Sequence, residues 1–316
     1  MHALVTGGAG FIGSNLVDRL LAEGHSVDVI DSLSSGKLAN LADARAAGGD
    51  FSFHQIDICD PSVVELIERR SPEVVFHLAA QIDVRLSVTD PAEDARINVM
   101  GMLNVLEGAR RGGARKLCFA SSGGTIYGTV DNEDLPVTEA HPQKPVSPYG
   151  VTKKVTTDYL NSYRELHQLE YTSLALANVY GPRQDPHGEA GVVAIFAGRL
   201  LRGEECKIFG DGEQTRDYVF VDDVVDAFGR SADKAGGLLC NIGTGVETSV
   251  NQLYSAMAAN AGVSTPAFYA EARHGELERS CLDAGRAKLQ LGWEPFTDLT
   301  TGTAAVLEWF SNQEAD

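Results

Sequence analysis

No stretch of the 316-residue chain reaches the roughly 18 unbroken apolar residues that a membrane-spanning helix needs, which excludes a helical membrane protein. Positive charge is scarce: 26 Lys and Arg stand against 44 Asp and Glu, for a net charge of -18. Bulk electrostatic binding to nucleic acid or an anionic membrane is therefore excluded, and any anionic ligand must be held by local donors. The five cysteines (Cys59, Cys118, Cys206, Cys240, Cys281) lie far apart, with no C-x-x-C and no H-E-x-x-H spacing. That pattern gives no metal site and no disulfide framework, and reads as reduced core thiols. Low-complexity tracts and repeats of solenoid length are absent as well. The first residues, Met1 to Thr6, read as a strand and not as a basic leader, which predicts a cytoplasmic protein.

What is present is ordinary globular composition, 43% hydrophobic and 22% charged. Candidate strands are His2 to Thr6, Ser26 to Asp31, Phe51 to Ile56, Val74 to Leu78, Lys116 to Ala120 and Thr172 to Ala177. Several are unbroken apolar runs, as expected when both faces of a sheet are covered. Helical patterns lie between them, one from Phe11 to Ala22 and another from about Asp94 to Arg110. The alternation predicts an α/β fold, a doubly wound parallel sheet of the Rossmann kind. After Gly181 the pattern changes, and Gly181-Pro182-Arg183-Gln184-Asp185-Pro186 is a breaker cluster. A cofactor-binding domain over 1–178, with 217–248 returning to it, and a smaller lobe over 179–316 are expected.

Thr6-Gly7-Gly8-Ala9-Gly10-Phe11-Ile12-Gly13 sits between the first strand and the first helix. Gly7 allows a tight turn, Gly10 lets backbone approach a pyrophosphate, and Gly13 allows helix to pack on strand. The helix N-terminus then offers free N–H groups to the anion. Asp31 ends the second strand, where its carboxylate suits ribose hydroxyls and repels a 2′-phosphate, so NAD is favoured over NADP. Asp57 follows the third strand and reads either as a contact to the adenine edge or as a helix-start acid.

Tyr149 and Lys153 are four residues apart and share one helical face. A tyrosine ordinarily titrates near 10. A lysine cation beside it and the positive nicotinamide ring would both lower that value toward what proton transfer from a sugar hydroxyl requires. Ser121-Ser122-Gly123-Gly124-Thr125 follows an apolar strand and should emerge at a carboxyl edge of the sheet. Thr125 and Ser122 are the candidate hydroxyls for the reacting alcohol, and ordinary turn serines remain the competing reading for Ser121 and Ser122.

These residues resemble the NAD-dependent epimerase/dehydratase family of the extended short-chain dehydrogenases. The resemblance covers nearly the whole chain. It includes the glycine turn, His77-Leu78-Ala79-Ala80, Asn98-Val99-Met100-Gly101, the serine strand and Tyr149/Lys153. It continues through Asn178-Val179-Tyr180-Gly181-Pro182-Arg183, Ile208-Phe209-Gly210-Asp211-Gly212 and Arg216-Asp217-Tyr218-Val219. Within the family the chain is most similar to members that invert UDP-hexoses at C4. The resemblance implies that Leu78, Ala79, Ala80 and Gln81 line NAD and that Asn98 supports it. Phe11, Ile12, Ser32, Leu33, Gly36, Ile58, Ser121 and Ser122 complete the cofactor contacts. It also implies that Asn178 and the backbone near Val192 hold a UDP-sugar, with Phe209 on uracil and Lys207 backbone at the base edge. Arg216 and Arg273 grip the diphosphate, and Val84 and Gln214 complete that site.

The implied mechanism is redox without net redox. Tyr149 takes the 4-hydroxyl proton while NAD accepts hydride from C4. A transient 4-keto sugar turns about its diphosphate, and hydride returns to the other face. Dehydratases and decarboxylases of the family carry an acid where this chain has Thr125. The best-known epimerases carry a serine where it has Gly123, and usually an asparagine where it has Ser32. UDP-glucose/UDP-galactose is the first substrate expected. UDP-glucuronate/UDP-galacturonate is second, because Gly123 and Gly124 leave room and Arg85 or Arg183 can meet a carboxylate. UDP-N-acetylhexosamines are third. A non-catalytic NAD-binding scaffold is the reading from another class. The resemblance also implies a homodimer through a four-helix bundle, with Val155, Tyr159, Tyr163 and Leu166 forming an apolar stripe that core packing explains equally well.

Overall fold

A computed structural model describes residues 1–186, 191–272 and 277–314. The first half runs β1 (His2–Thr6), α1 (Phe11–Ala22), β2 (Ser26–Asp31), α2 (Ala42–Ala46), β3 (Phe51–Gln55), α3 (Ser62–Arg70), β4 (Val74–His77), α4 (Val84–Thr89), α5 (Pro91–Ala95), α6 (Met102–Arg111), β5 (Lys116–Ser122), α7 (Gly123–Ile126), α8 (Pro148–His167) and β6 (Glu170–Leu176). The second half runs β7 (Asn178–Tyr180), α9 (Val192–Leu201), β8 (Lys207–Phe209), β9 (Thr215–Arg216), β10 (Tyr218–Phe220), α10 (Val221–Ser231), β11 (Leu238–Ile242), β12 (Thr248–Ser249), α11 (Val250–Asn260), β13 (Phe268–Ala270), α12 (Gly285–Leu291) and α13 (Leu299–Glu314).

Seven strands form one parallel sheet in the order β11-β6-β5-β4-β1-β2-β3. Alternate residues of each strand enter opposite layers, because side chains in a strand have a period of two. Leu4, Ile30, Val75, Leu117 and Phe119 pack against helices α3, α6 and α8. Ala3, Val5, Val27, Val29, Phe76 and Cys118 pack toward α1 and α10. Both faces are thus dry, which is why the strand sequences read as apolar runs. The second apolar layer does not stop at the sheet. It continues through Val193, Phe196, Leu253, Trp293 and Phe310, so the smaller lobe shares its core with the larger.

The strand order turns back between β1 and β4, at the crevice where open α/β sheets bind ligands. Parallel β1 and β4 place the glycine turn beside the loop that follows β4. Near the start of α6 the backbone widens to a π-helical turn over Arg96–Gly101, which delivers Asn98 to that loop. Among the described residues no helix is long and apolar enough to cross a membrane.

Candidate active site

Gly7 has φ of +71°, and a Cβ there would lie 2.7 Å from the Ala79 nitrogen. Only glycine holds that turn without strain. A Cβ on Gly13 would run into the Gly7 carbonyl, so α1 presses directly on the turn. Gly10 precedes Phe11 and Ile12, which open α1 half-buried. Asp31, 8% exposed, accepts from the Ala9 N–H at 2.9 Å and the Leu33 N–H at 2.8 Å. Each of its oxygens keeps a further lone pair. Gly36 closes over it, since a Cβ there would come within 2.8 Å of Asp31 Oδ1. Ser32 and Ser34 are hydrogen-bonded through their hydroxyls.

The third-strand residues divide. Asp57 is exposed and its Oδ1 accepts from the Cys59 N–H at 2.9 Å, so it closes a turn ahead of α3 and does not cap the helix. Ile58 buries its side chain in the core against Gly101, and its carbonyl accepts from Asn104. Any ligand contact at Ile58 is confined to what backbone remains.

The loop after β4 is pinned at both ends. The Ala79 N–H donates to Thr6 Oγ1 at 3.3 Å, and Thr6 Oγ1 lies 2.7 Å from His77 Nδ1. Burial pushes the His77 imidazole down to about 3, with the Lys153 charge adding to the fall, so it stays neutral. At the other end Asn98 both accepts from the Gln81 N–H and donates to the Gln81 carbonyl, each at 2.9 Å. Leu78, Ala79, Ala80 and Gln81 are therefore held as one rigid rim. Val84 follows as the first residue of α4, capped by Asp83.

Ser147 caps α8 and Pro148 opens it, which sets Tyr149 and Lys153 on its first turns. The Lys153 ammonium donates to the Ala120 carbonyl at 2.9 Å and stands 5.6 Å from the Tyr149 ring centre. Burial pulls it down to about 8, against the opposing pull of Asp94. The Ser122 hydroxyl lies near enough to the Tyr149 phenol to favour its ionised form. Burial raises this phenol above its ordinary range, and the Ser122 hydroxyl only partly offsets that. The expected lowering by the lysine is not seen in the protein by itself, where desolvation is the largest effect on the phenol.

Ser122 is the hydroxyl that acts on the Tyr149 phenol. Thr125 lies on α7 and its Oγ1 turns back to the Ser122 carbonyl at 3.4 Å. Ser121 Oγ is buried and has no hydrogen-bond partner among the described residues. A buried hydroxyl left unsatisfied costs about 1–3 kcal/mol, so this one is arranged for a polar ligand. With the Gly7 turn and the Asp31 oxygens, it makes these residues fit a dinucleotide.

Two expectations about the sugar are overturned. A Cβ on Gly123 would meet Leu282 Cδ1, so Leu282 fills the space that sequence alone left open. Only Gly124 faces open space. Arg183 is spoken for, with Asp18 at 2.6 Å and Asp43 at 3.1 Å, so it clasps α1 and α2 and is not held for a sugar carboxylate.

The remaining substrate candidates lie on the smaller lobe's elements. Asn178 opens β7 and is exposed, and Val192 opens α9 behind Gly191. Lys207 and Phe209 sit on β8, with the Lys207 ammonium 5.8 Å from the Phe209 ring centre. Gln214 Nε2 donates to the Phe209 carbonyl at 2.9 Å, joining these three. Arg216 pairs in register with Thr248 and donates to the Thr215 carbonyl. Arg273 lies outside the described residues. Sequence reasoning missed Asp94, Thr152 and His77, which hold the site from behind. The one available signal was the four-residue interval from Asp94 to Asn98, which puts both on one face.

A glycine turn on a parallel sheet, with a buried tyrosine and lysine on the helix after β5, defines a dinucleotide-binding enzyme of the short-chain dehydrogenase/reductase class. The sequence pattern of the NAD dependent epimerase/dehydratase family matches residues 3–243, and the chain belongs to that family. It is 52% identical to UDP-glucose 4-epimerase of Mycolicibacterium smegmatis, over 99% of each chain. Its structure matches UDP-glucose 4-epimerase of Thermotoga maritima with UDP-glucose at TM-score 0.93 and 46% identity, covering 99% of this chain and 100% of that one. It also matches the Thermus thermophilus UDP-glucose 4-epimerase in complex with NAD at TM-score 0.90 and 39% identity, covering 98% and 99%.

Proposed function

We propose that this chain is an NAD-dependent 4-epimerase that interconverts UDP-glucose and UDP-galactose through a transient 4-keto sugar. The observation that carries the reading is the buried Tyr149–Lys153 pair at the carboxyl end of β5, with Ser122 near the phenol and Ser121 lacking a partner among the described residues. Tyr149 is the group that takes the 4-hydroxyl proton and later returns it. Lys153 supplies the nearby cation, and the Ser122 hydroxyl, with Thr125 one turn on, orients the reacting alcohol. Bound NAD supplies a hydride acceptor that gives the hydride back. Gly7, Gly10, Gly13 and Asp31 hold the adenosine and pyrophosphate; Leu78 to Gln81, with Asn98 behind them, hold the rest. Phe209, Lys207, Gln214, Arg216, Asn178 and Arg273 are assigned to the UDP group. Strong anchoring there and loose anchoring of the hexose let the ketone turn over, placing binding energy on the part that does not react.

We read 1–178 with 217–248 as the cofactor-binding domain and 179–316 as the UDP-sugar lobe. A homodimer through α8 and through α6 with the π turn before it goes with this reading, supported by Met100, Val151, Tyr159 and Leu166, which are 58%, 45%, 38% and 72% exposed. Light scattering on the purified protein checks it. The same reading puts the protein in the cytoplasm, which cell fractionation checks. The deciding experiment incubates the protein with UDP-galactose and no added oxidant, then separates the nucleotide sugars. UDP-glucose should accumulate to equilibrium. Faster turnover of UDP-glucuronate than of UDP-galactose overturns the substrate assignment.

A further inference from the structure

We propose that Asp94 is a positioning residue: it ties the rim after β4 to the catalytic helix and keeps Lys153 charged. The proposal deepens the epimerase reading and rests on it. Asp94 is on α5, 1% exposed, behind the residues assigned to NAD and the sugar. Its Oδ1 accepts from Gln81 Nε2 at 2.8 Å and from Asn98 Nδ2 at 3.0 Å. Its Oδ2 accepts from Thr152 Oγ1 at 3.0 Å. Gln81 ends the rim, and Thr152 precedes Lys153 on α8. One carboxylate therefore joins three segments that meet at the site.

All three of its donors are neutral side chains. Taking a carboxylate this far from water is costly unless hydrogen bonds and an opposite charge meet it. The Lys153 ammonium is also buried, bonded to a carbonyl and laid over the Phe119 and Tyr149 rings at 4.9 and 5.6 Å. Three titratable groups act on it: Tyr149 from its own helix, His77 from β4 and Asp94 from α5. His77 is neutral, since burial holds it down to about 3. Charged groups on the other elements against α8 are engaged elsewhere. Glu107 of α6 pairs with Arg110 and Tyr163, Arg96 of the π turn with Glu93, and Glu170 of β6 with Arg164. Arg85 of α4 and Lys154 on the far side of α8 are not on this face: Arg85 is exposed and Lys154 donates to the Gln143 carbonyl. Asp94 is thus the negative charge that opposes the loss of the Lys153 proton.

Two variants of the full-length holoenzyme separate the charge from the tether. Asp94→Asn keeps a hydrogen bond to each of the three partners: its oxygen accepts from Gln81 and Asn98, and its NH2 donates to Thr152 Oγ1, whose single proton then goes to the Tyr149 carbonyl. Thr152→Val cuts the tether and leaves the charge. The readout is kcat/KM for UDP-galactose against pH, with bound NAD and melting temperature measured alongside. For Asp94→Asn the alkaline limb should move down by about half a unit or more, with NAD content near wild type. For Thr152→Val the rate should fall several-fold with the limb unmoved. Asp94→Glu, which restores the charge, should return the limb to its wild-type position whether or not Asp94→Asn folds. A limb that is superimposable in wild type and Asp94→Asn, or displaced in Asp94→Glu, overturns the proposal. Failure of the wild-type protein to convert UDP-galactose strikes the epimerase reading instead.

Discussion

Replacing Gly123 by alanine tests how tightly the turn after β5 is closed. The new Cβ would meet Leu282 Cδ1 and lie 3.1 Å from Leu282 Cδ2 and 3.2 Å from the Ala175 carbonyl. Leu282 has little room to retreat: it is 2% exposed and packs in a small cluster with Ile126, Tyr127, Val137 and Leu239. Forcing a methyl into so filled a site costs about 1–3 kcal/mol. Leu282→Ala alone removes a buried side chain and costs about 2–5 kcal/mol. In the double variant the alanine methyl occupies space that Leu282 vacated, so the two costs should fall short of their sum by about 1 kcal/mol or more. Urea unfolding of the wild type, both single variants and the double variant at one temperature measures that difference. Costs that add to within about 0.5 kcal/mol mean that Leu282 does not fill the Gly123 site.

Tyr149→Phe removes the proton acceptor and should lower turnover about 10²–10⁴-fold, with the melting temperature within a degree or two of wild type; near-normal turnover contradicts the assignment. Wild-type activity should have an alkaline limb set by Lys153, which is charged below its pKa of about 8 and neutral above it, so activity is present at lower pH and lost as pH rises through that value. A limb near the ordinary lysine value of about 10.4 contradicts the burial argument. Gly7→Ala puts an L side chain at φ +71° against the Ala79 backbone. The backbone term alone is about 1–2 kcal/mol, so NAD affinity by calorimetry should weaken by about tenfold or more.

Much of the larger lobe was readable because its information is local. Strands β1 to β6 lie within about two residues of where apolar runs placed them, since a strand buried on both faces must be apolar throughout. The Gly7 turn and the Tyr149/Lys153 interval were legible for the same reason: each is a short-range demand of backbone geometry or helical period. What escaped was set by distant partners. Nothing near Gly123 announces that Leu282 fills it, and nothing near Arg183 names Asp18 and Asp43 as its acceptors. How Ser122 and Thr125 are turned was not legible either, because the direction in which a hydroxyl points depends on α7, a single turn too short to have a pattern. The strands of the smaller lobe have two or three residues each, too few for alternation to register.

The place of β11 at the rim of the sheet bears on how the molecule is made. It pairs with β6 from Leu238 to Ile242, and the layer beneath recruits residues as late as Phe310. A ribosome that has released the cofactor-binding half has therefore delivered a sheet with one unpaired flank and one greasy side. That side is closed only once α13 has been made as far as Phe310, which is buried in the same apolar layer as α1 and α10.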